Sequence, residues 1–187
     1  MVVNVNLNNN IINYNCPDSS SDENFDSKSY TNPKQAAVYI PVLDTKNINI
    51  NNNIFNCTFD VVTQNRFPFV SFDFNQYSNA YLYNVNIENN YFNDYFVSAD
   101  GDKYTSVICF VVTSTISNVI DNNHIINTNI KGNICNKNQQ ICIGALYTTP
   151  TQTSYPTFSP SLLNVFIENN ICGLYLLNQQ SKPYNLQ

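Results

Sequence analysis

The chain has 187 residues, of which 43% are apolar and only 11% charged, and its net charge is −5. That length and apolar share suit one domain with a sizeable core, spanning residues 1–187. Eight basic residues, with Arg66 the single arginine, fall short of the dense positive footprint needed on nucleic acid or an anionic membrane, so neither is an expected partner.

Asparagine accounts for 36 residues and glycine for only four. Where glycine is scarce, asparagine is the next residue to tolerate the left-handed backbone region that turns demand. Many of its occurrences therefore read as turn positions. The opening MVVNVNLNNNII lacks the basic start and continuous apolar run of a signal peptide. No segment approaches 18 apolar residues, so no membrane-spanning helix is expected.

In chain order, the first element is residues 5–12 (VNLNNNII), an alternating run broken by the pair Asn9-Asn10. A long polar loop follows at 16–35, then a strand-like run at 36–42. The broken run returns at 48–55 (ININ-NNIF, pair Asn52-Asn53), followed by apolar residues 67–74. It returns again at 85–92 (pair Asn89-Asn90), before a loop at 98–103 and a strand-like run at 104–112. Residues 118–125 (NVIDNNHI) give a fourth copy with Asn122-Asn123, followed by a run at 141–147 and a Thr/Ser/Pro-rich loop at 148–160. Residues 165–172 (VFIENNIC) give a fifth with Asn169-Asn170, and the last strand runs to about 177.

The flanks alternate with period two and are rich in Val, Ile, Phe and Tyr, as strands are. Each return thus consists of three strands: one before Asn-Asn, one after it and one in the intervening run. The spacings between first asparagines are 43, 37, 33 and 47, an irregularity that a solenoid absorbs in its loops. Stacked strands repeat about every 4.8 Å, so one asparagine per level can bond the next. The expected ladder is Asn10, Asn53, Asn90, Asn123 and Asn170, with Asn9, Asn52, Asn89, Asn122 and Asn169 beside it.

This pattern resembles the pectate-lyase-like superfamily, over residues 2–178. The resemblance implies an all-β chain: a right-handed, single-stranded parallel β-helix (a solenoid) of about four to five rungs with an asparagine ladder at a short turn. Lyases of that superfamily use basic residues, often with calcium carboxylates, and its hydrolases use clustered aspartates. Here Arg66 is isolated and no Asp-Asp pair occurs, so no catalytic residue is assigned.

Glu88, Asp121 and Glu168 share the slot before Asn-Asn and are expected to form a carboxylate column, a candidate place for a cation or ligand. Asp100-Gly101-Asp102 offers oxygens of the kind calcium takes, without the rest of a calcium loop. No metal site or cofactor is expected, calcium being the one candidate. The single His124 argues against a Cys/His zinc site. Six cysteines without a CxxC pair read as buried free thiols. Ile12, Phe55, Phe92, Ile125 and Cys172 share a slot expected to face the core. Ile11, Ile54, Tyr91, His124 and Ile171 share the preceding slot, expected to face outward. An outward apolar row implies a covered face. Tyr81, Tyr83 and Tyr91 are candidate glycan contacts.

The first motif begins by Val5 without a preceding cap, and solenoid ends are normally covered. Either the chain is a fragment or other subunits cover its ends. The leading expectation is a structural and adhesive subunit of a viral or phage particle or a surface fibre. It would sit on a virion or cell surface and self-assemble, as a homo-oligomer or with other structural subunits, through rung ends or an apolar face. One alternative is a polysaccharide lyase or hydrolase in which Asp73, Glu88 and Asp121 do acid–base work. Another is a noncatalytic glycan-binding module.

Overall fold

The computed structural model describes residues 2–15, 36–58, 68–74, 79–94, 105–113, 123–135, 139–147 and 160–176. Among them every regular element is a strand. The first six are β1 (Val2–Asn8), β2 (Ile11–Asn15), β3 (Val38–Pro41), β4 (Asp44–Asn51), β5 (Ile54–Thr58) and β6 (Val70–Asp73). The next four are β7 (Tyr81–Glu88), β8 (Tyr91–Asp94), β9 (Thr105–Thr113) and β10 (His124–Lys131). The last four are β11 (Ile134–Cys135), β12 (Gln139–Tyr147), β13 (Ser161–Glu168) and β14 (Gly173–Leu176). The loops expected at 16–35, 98–103 and 148–160 lie outside the described residues, apart from Pro160.

The strands form three sheets, β1-β4-β7-β10-β13, β2-β5-β8-β11 and β3-β6-β9-β12-β14. Every pairing in them is parallel. Parallel neighbours need a crossover connection, and here two strands in the other sheets provide it. The chain visits the three sheets in the same cyclic order, and each circuit lays its strands beside those of the last. This arrangement is compatible with a parallel β-helix.

The register places like residues in straight rows across the first sheet. One inward row is Leu7, Ile50, Ile87, Ile130 and Ile167, and another is Val5, Ile48, Val85, Thr128 and Val165. Their middle members are fully buried. In the second sheet Phe55 and Phe92 stack with ring centroids 5.1 Å apart, and Phe69 packs on both. In the third, Phe72 and Phe110 stack at 4.9 Å. Inward residues of β13 lose this cover: Leu162, in the row of Leu82 and Ile125, is 45% exposed.

Thr128 stands in a valine row with a buried hydroxyl that has no hydrogen-bond partner. A desolvated, unbonded hydroxyl costs roughly 1–3 kcal/mol. Thr128→Val keeps the shape and is expected to stabilise the fold by about 1 kcal/mol, read as a raised urea midpoint with unchanged slope. Thr45 is the contrast. It is equally buried, but its hydroxyl donates to the Pro41 carbonyl at 3.2 Å, so Thr45→Val should gain nothing.

Two bends per circuit shape the first sheet and its corner. Asn4, Asn47, Asn84, Asn127 and Asn164 have φ between 52° and 61° in mid-strand. Asn9, Asn52, Asn89 and Asn169 have φ between 55° and 60° at the corner that leads into the second sheet. The fourth corner belongs to Gly132, with φ 62°. Asparagine is thus used as the sequence implied, as the left-handed residue in a glycine-poor chain. Gly132 is also required by space, since a Cβ there would strike the Asn89 side-chain oxygen.

The residue after each corner carries the buried ladder. Asn10 Nδ2 donates to Asn53 Oδ1 at 3.1 Å, Asn53 to Asn90 at 3.0 Å, Asn90 to Asn133 at 3.0 Å and Asn133 to Asn170 at 2.9 Å. Each receiving oxygen also takes the backbone N–H of the preceding ladder residue, at 3.0 Å. Each Nδ2 from Asn53 onward also donates to a carbonyl of the circuit before: Leu7, Ile50, Ile87 and Ile130 respectively.

The fourth place is therefore Asn133, not the expected Asn123. The ladder spacings become 43, 37, 43 and 37, a regular alternation in place of the irregular run. The cause is a substitution at the corner, where Lys131-Gly132-Asn133 replaces the Asn-Asn pair. Asn123 is buried at the opposite end of the same sheet, where its Oδ1 accepts the Ala80 N–H at 2.9 Å.

A second correction concerns sulfur. Cys135 and Cys172, adjacent in the inward row of Phe55 and Phe92, form a disulfide with Cα atoms 5.3 Å apart. Cys57 remains a buried thiol and Cys109 is buried.

Candidate functional site

The outward face of the first sheet is a grid fixed by the register. At the corner side its row reads Asn8, Asn51, Glu88, Lys131 and Glu168. The expected carboxylate column is thus interrupted. Asp121 lies outside the described residues, and Lys131 stands between the two glutamates. Lys131 Nζ is 3.2 Å from Glu168 Oε2, and it sits 5.6 Å from the Phe166 ring centroid. An ammonium between two carboxylates relieves the repulsion that would have drawn a cation there. Among the described residues no cluster of three or more His, Cys, Asp or Glu is placed to hold a metal. Asp100, Asp102 and Arg66 lie outside the described residues.

Two further rows of this face are asparagine ladders that the paired-Asn motif did not reveal. Asn47, Asn84, Asn127 and Asn164 each donate Nδ2 to the Oδ1 of the row member before them, at 2.9–3.2 Å. Asn49, Asn86 and Asn129 do the same from Asn6 onward, at 2.8–2.9 Å. Each of these bonds uses one of the two Nδ2 hydrogens of its donor and ties neighbouring levels of the stack together. The signal was present in the sequence, since each motif copy with an Asn-Asn or Gly-Asn corner carries an asparagine five residues before the corner residue.

The tyrosines divide. Tyr81 and Tyr83, on β7, are parallel rings 5.7 Å apart, and His124 on β10 stacks on Tyr81 at 4.6 Å. Neighbouring rings thus occupy part of the Tyr81 stacking surface that a sugar would use. Tyr83 is pushed above its ordinary value by desolvation first, then by Tyr81 and by the charge of Asp44. Tyr91 belongs to another sheet and does not join them.

Tyr91 instead stands in the outward row of the second sheet: Ile11, Ile54, Tyr91, Ile134 and, through a single bridge, Ile171. All five are 38–68% exposed. The expected row placed His124 in the fourth position. His124 lies on the first sheet, and Ile134 holds the place, which makes the row apolar throughout. Asn13, Asn56 and Asn93 form an outward ladder beside it. The likeness of KGNIC at 131–135 to ENNIC at 168–172 is the sequence signal for this register.

Asp73, named for acid–base work, is fully buried and accepts the Tyr39 hydroxyl at 2.7 Å. In this conformation it does not face solvent. Burial first, then the hydrogen bond and charge of Asp73, hold the Tyr39 phenol well above its ordinary value of 10.0. A group whose folded value is raised contributes stability that is complete below its unfolded value and is lost as pH rises through the folded one. The Tyr39–Asp73 pair is therefore expected to support the fold fully at neutral pH and to lose that support only above about pH 10. Thermal melts of wild type and Tyr39→Phe from pH 7 to 11 check it. The difference between them should be largest at pH 7 and shrink above pH 10.

Among the described residues no helix is long and apolar enough to cross a membrane. No protein-family model matches the chain, and neither a curated protein nor a solved structure shows significant similarity to it.

Proposed function

We propose that the chain is a right-handed, single-stranded parallel β-helix of four to five rungs, and that it serves as a structural and adhesive subunit of a viral or phage particle or of a surface fibre. The observation that carries this reading is how its outward groups are used. Two outward amide rows on the first sheet and one on the second bond internally along the stack, so they stiffen it instead of converging on a substrate. A disulfide is in keeping with a surface or virion location, where oxidising conditions preserve it.

The mass of the native protein, by light scattering coupled to size exclusion, tests the reading. A discrete oligomer or filament is expected. A strict monomer at high concentration that cleaves acidic polysaccharides, with or without calcium, would replace this reading with the enzymatic one.

One observation favours a noncatalytic glycan-binding module as the second reading. The rings of Tyr81, Tyr83 and His124 stand beside the amides of Asn84 and Asn127, a pairing of aromatic surface and hydroxyl-binding groups suited to sugars. Binding on a glycan array, abolished by Tyr83→Ala and without turnover, would support it over self-assembly.

A further inference from the structure

We infer that the outward row Ile11, Ile54, Tyr91, Ile134 and Ile171 is a seam at which a second copy of this chain packs side by side, parallel and in register. The inference rests on the structural-subunit reading and specifies the surface and orientation that reading leaves open.

The row is apolar at every level and exposed at every level. A fully free side chain of this size presents about 200 Å², so the row leaves roughly 500 Å² of largely apolar surface, the size at which a patch is commonly functional. The Asn13, Asn56 and Asn93 ladder beside it extends the face toward the roughly 800 Å² per partner of a specific interface. The row also repeats with the strand spacing of the stack, about 4.8 Å. A copy of the chain necessarily shares that period, so its own row matches at all five levels without strain. Isoleucine meets isoleucine at four levels and Tyr91 meets Tyr91 at the third.

Charge selects the orientation. One flank of the row, across the corner, is Asn8, Asn51, Glu88, Lys131 and Glu168. The other is Asn13, Asn56 and Asn93. An antiparallel pair would lay the charged flank on itself and bring Glu88 against Glu88 at the two-fold axis. A rotation about an axis parallel to the stack instead lays the charged flank of one copy along the amide flank of the other, with Glu88 at the level of Asn93. A neutral amide flank does not repel a carboxylate, whereas like charges repel.

Sedimentation velocity of the full chain over a range of concentrations, with the double variant Ile54→Lys/Ile134→Lys beside wild type, tests the seam. Wild type is expected to associate, and the variant to associate at least tenfold more weakly with an unchanged far-ultraviolet circular dichroism spectrum. The single variant Ile54→Cys tests the orientation. With oxidised glutathione, two Ile54→Cys thiols from two copies are oxidised to one disulfide as the glutathione disulfide is reduced to two thiols. A covalent dimer through this position is expected only in the parallel arrangement. Cross-linking confined to a mixture of Ile54→Cys and Ile134→Cys proteins would show antiparallel packing and overturn the proposal. Wild type that assembles while the lysine variant assembles equally well would also overturn it, and would leave the structural reading standing on another surface. Wild type that stays monomeric would overturn both. If that monomer cosediments with phosphatidylcholine vesicles and the lysine variant does not, the row belongs to a lipid surface.

Discussion

Asn90→Ala is expected to destabilise the fold by about 4 kcal/mol. The side chain is 1% exposed and bonded on both sides. Its Oδ1 accepts the Asn53 backbone N–H and Asn53 Nδ2, each at 3.0 Å, and its Nδ2 donates to Asn133 Oδ1 at 3.0 Å and the Ile50 carbonyl at 2.7 Å. Truncation strands two donors and a carbonyl where water does not reach, and each orphan costs roughly 1–3 kcal/mol. The outward Asn86 is the control. It donates to Asn49 and accepts from Asn129 in the same geometry, but on the outward face and only partly buried, so water replaces what Asn86→Ala removes and the loss should stay under about 1 kcal/mol. Urea unfolding of the two variants decides the matter, and equal midpoints would mean that the ladder does not hold the corner. Asn90→Asp sharpens the test. A carboxylate oxygen would face the Ile50 carbonyl where an N–H now donates, so this variant should be worse than alanine at neutral pH. It should recover in acid, where a proton restores one donor.

The same residues show how far the sequence could be followed. Period-two alternation around a repeated Asn-Asn sufficed to place strands, corner and ladder, because a ladder member is set by its offset from the corner. Four of five ladder positions follow directly. The fifth fails at Gly132, since a search for paired asparagines passes over a corner in which glycine takes the left-handed role, and it stops at Asn122-Asn123 instead. That single slip carried His124 into the outward row and Ile125 into the position of Cys135. It also made the charged column look uniformly acidic, although Lys131 occupies its fourth level. The mid-strand bends at Asn4, Asn47, Asn84, Asn127 and Asn164 were hidden for another reason. A left-handed residue shifts the alternation by one, so inward residues stand three apart across it, as Thr45 and Ile48, Leu82 and Val85, and Ile125 and Thr128 do. The runs read at 5–12, 48–55, 85–92 and 165–172, however, each begin one residue after the bend. The outward apolar row, by contrast, was visible in advance, because four of its members follow the same Asn-Asn corner in the sequence.

Reducing the Cys135–Cys172 bridge is expected to cost about 4 kcal/mol, the chain-entropy value for a loop closed over a separation of 37 residues. The bridge joins two consecutive circuits inside the stack, and it does so where support from above ends. Among the described residues β13 has a parallel neighbour on one side only, β14 likewise, and Ile171 meets the second sheet through one isolated bridge. The last circuit therefore depends on the covalent link more than a middle circuit would. Wild type melted with and without a phosphine reductant, beside Cys172→Ser, provides the test. The reduced protein and the variant should share one lowered midpoint, and reductant should leave the variant unmoved. Two newly titratable thiols with no change in midpoint would show that the link constrains nothing. Why these two cysteines pair while Cys57 does not follows from rows, not from spacing in sequence. Cys57 pairs in register with Tyr14 and Asp94, whereas Cys135 and Cys172 occupy the row of Phe55 and Phe92 at adjacent levels. Spacing alone could not reveal this, since the corner at Gly132 had to be recognised before Cys135 fell into that row. A stack that replaces an aromatic pair with a disulfide at its less supported circuit gains rigidity only where thiols stay oxidised.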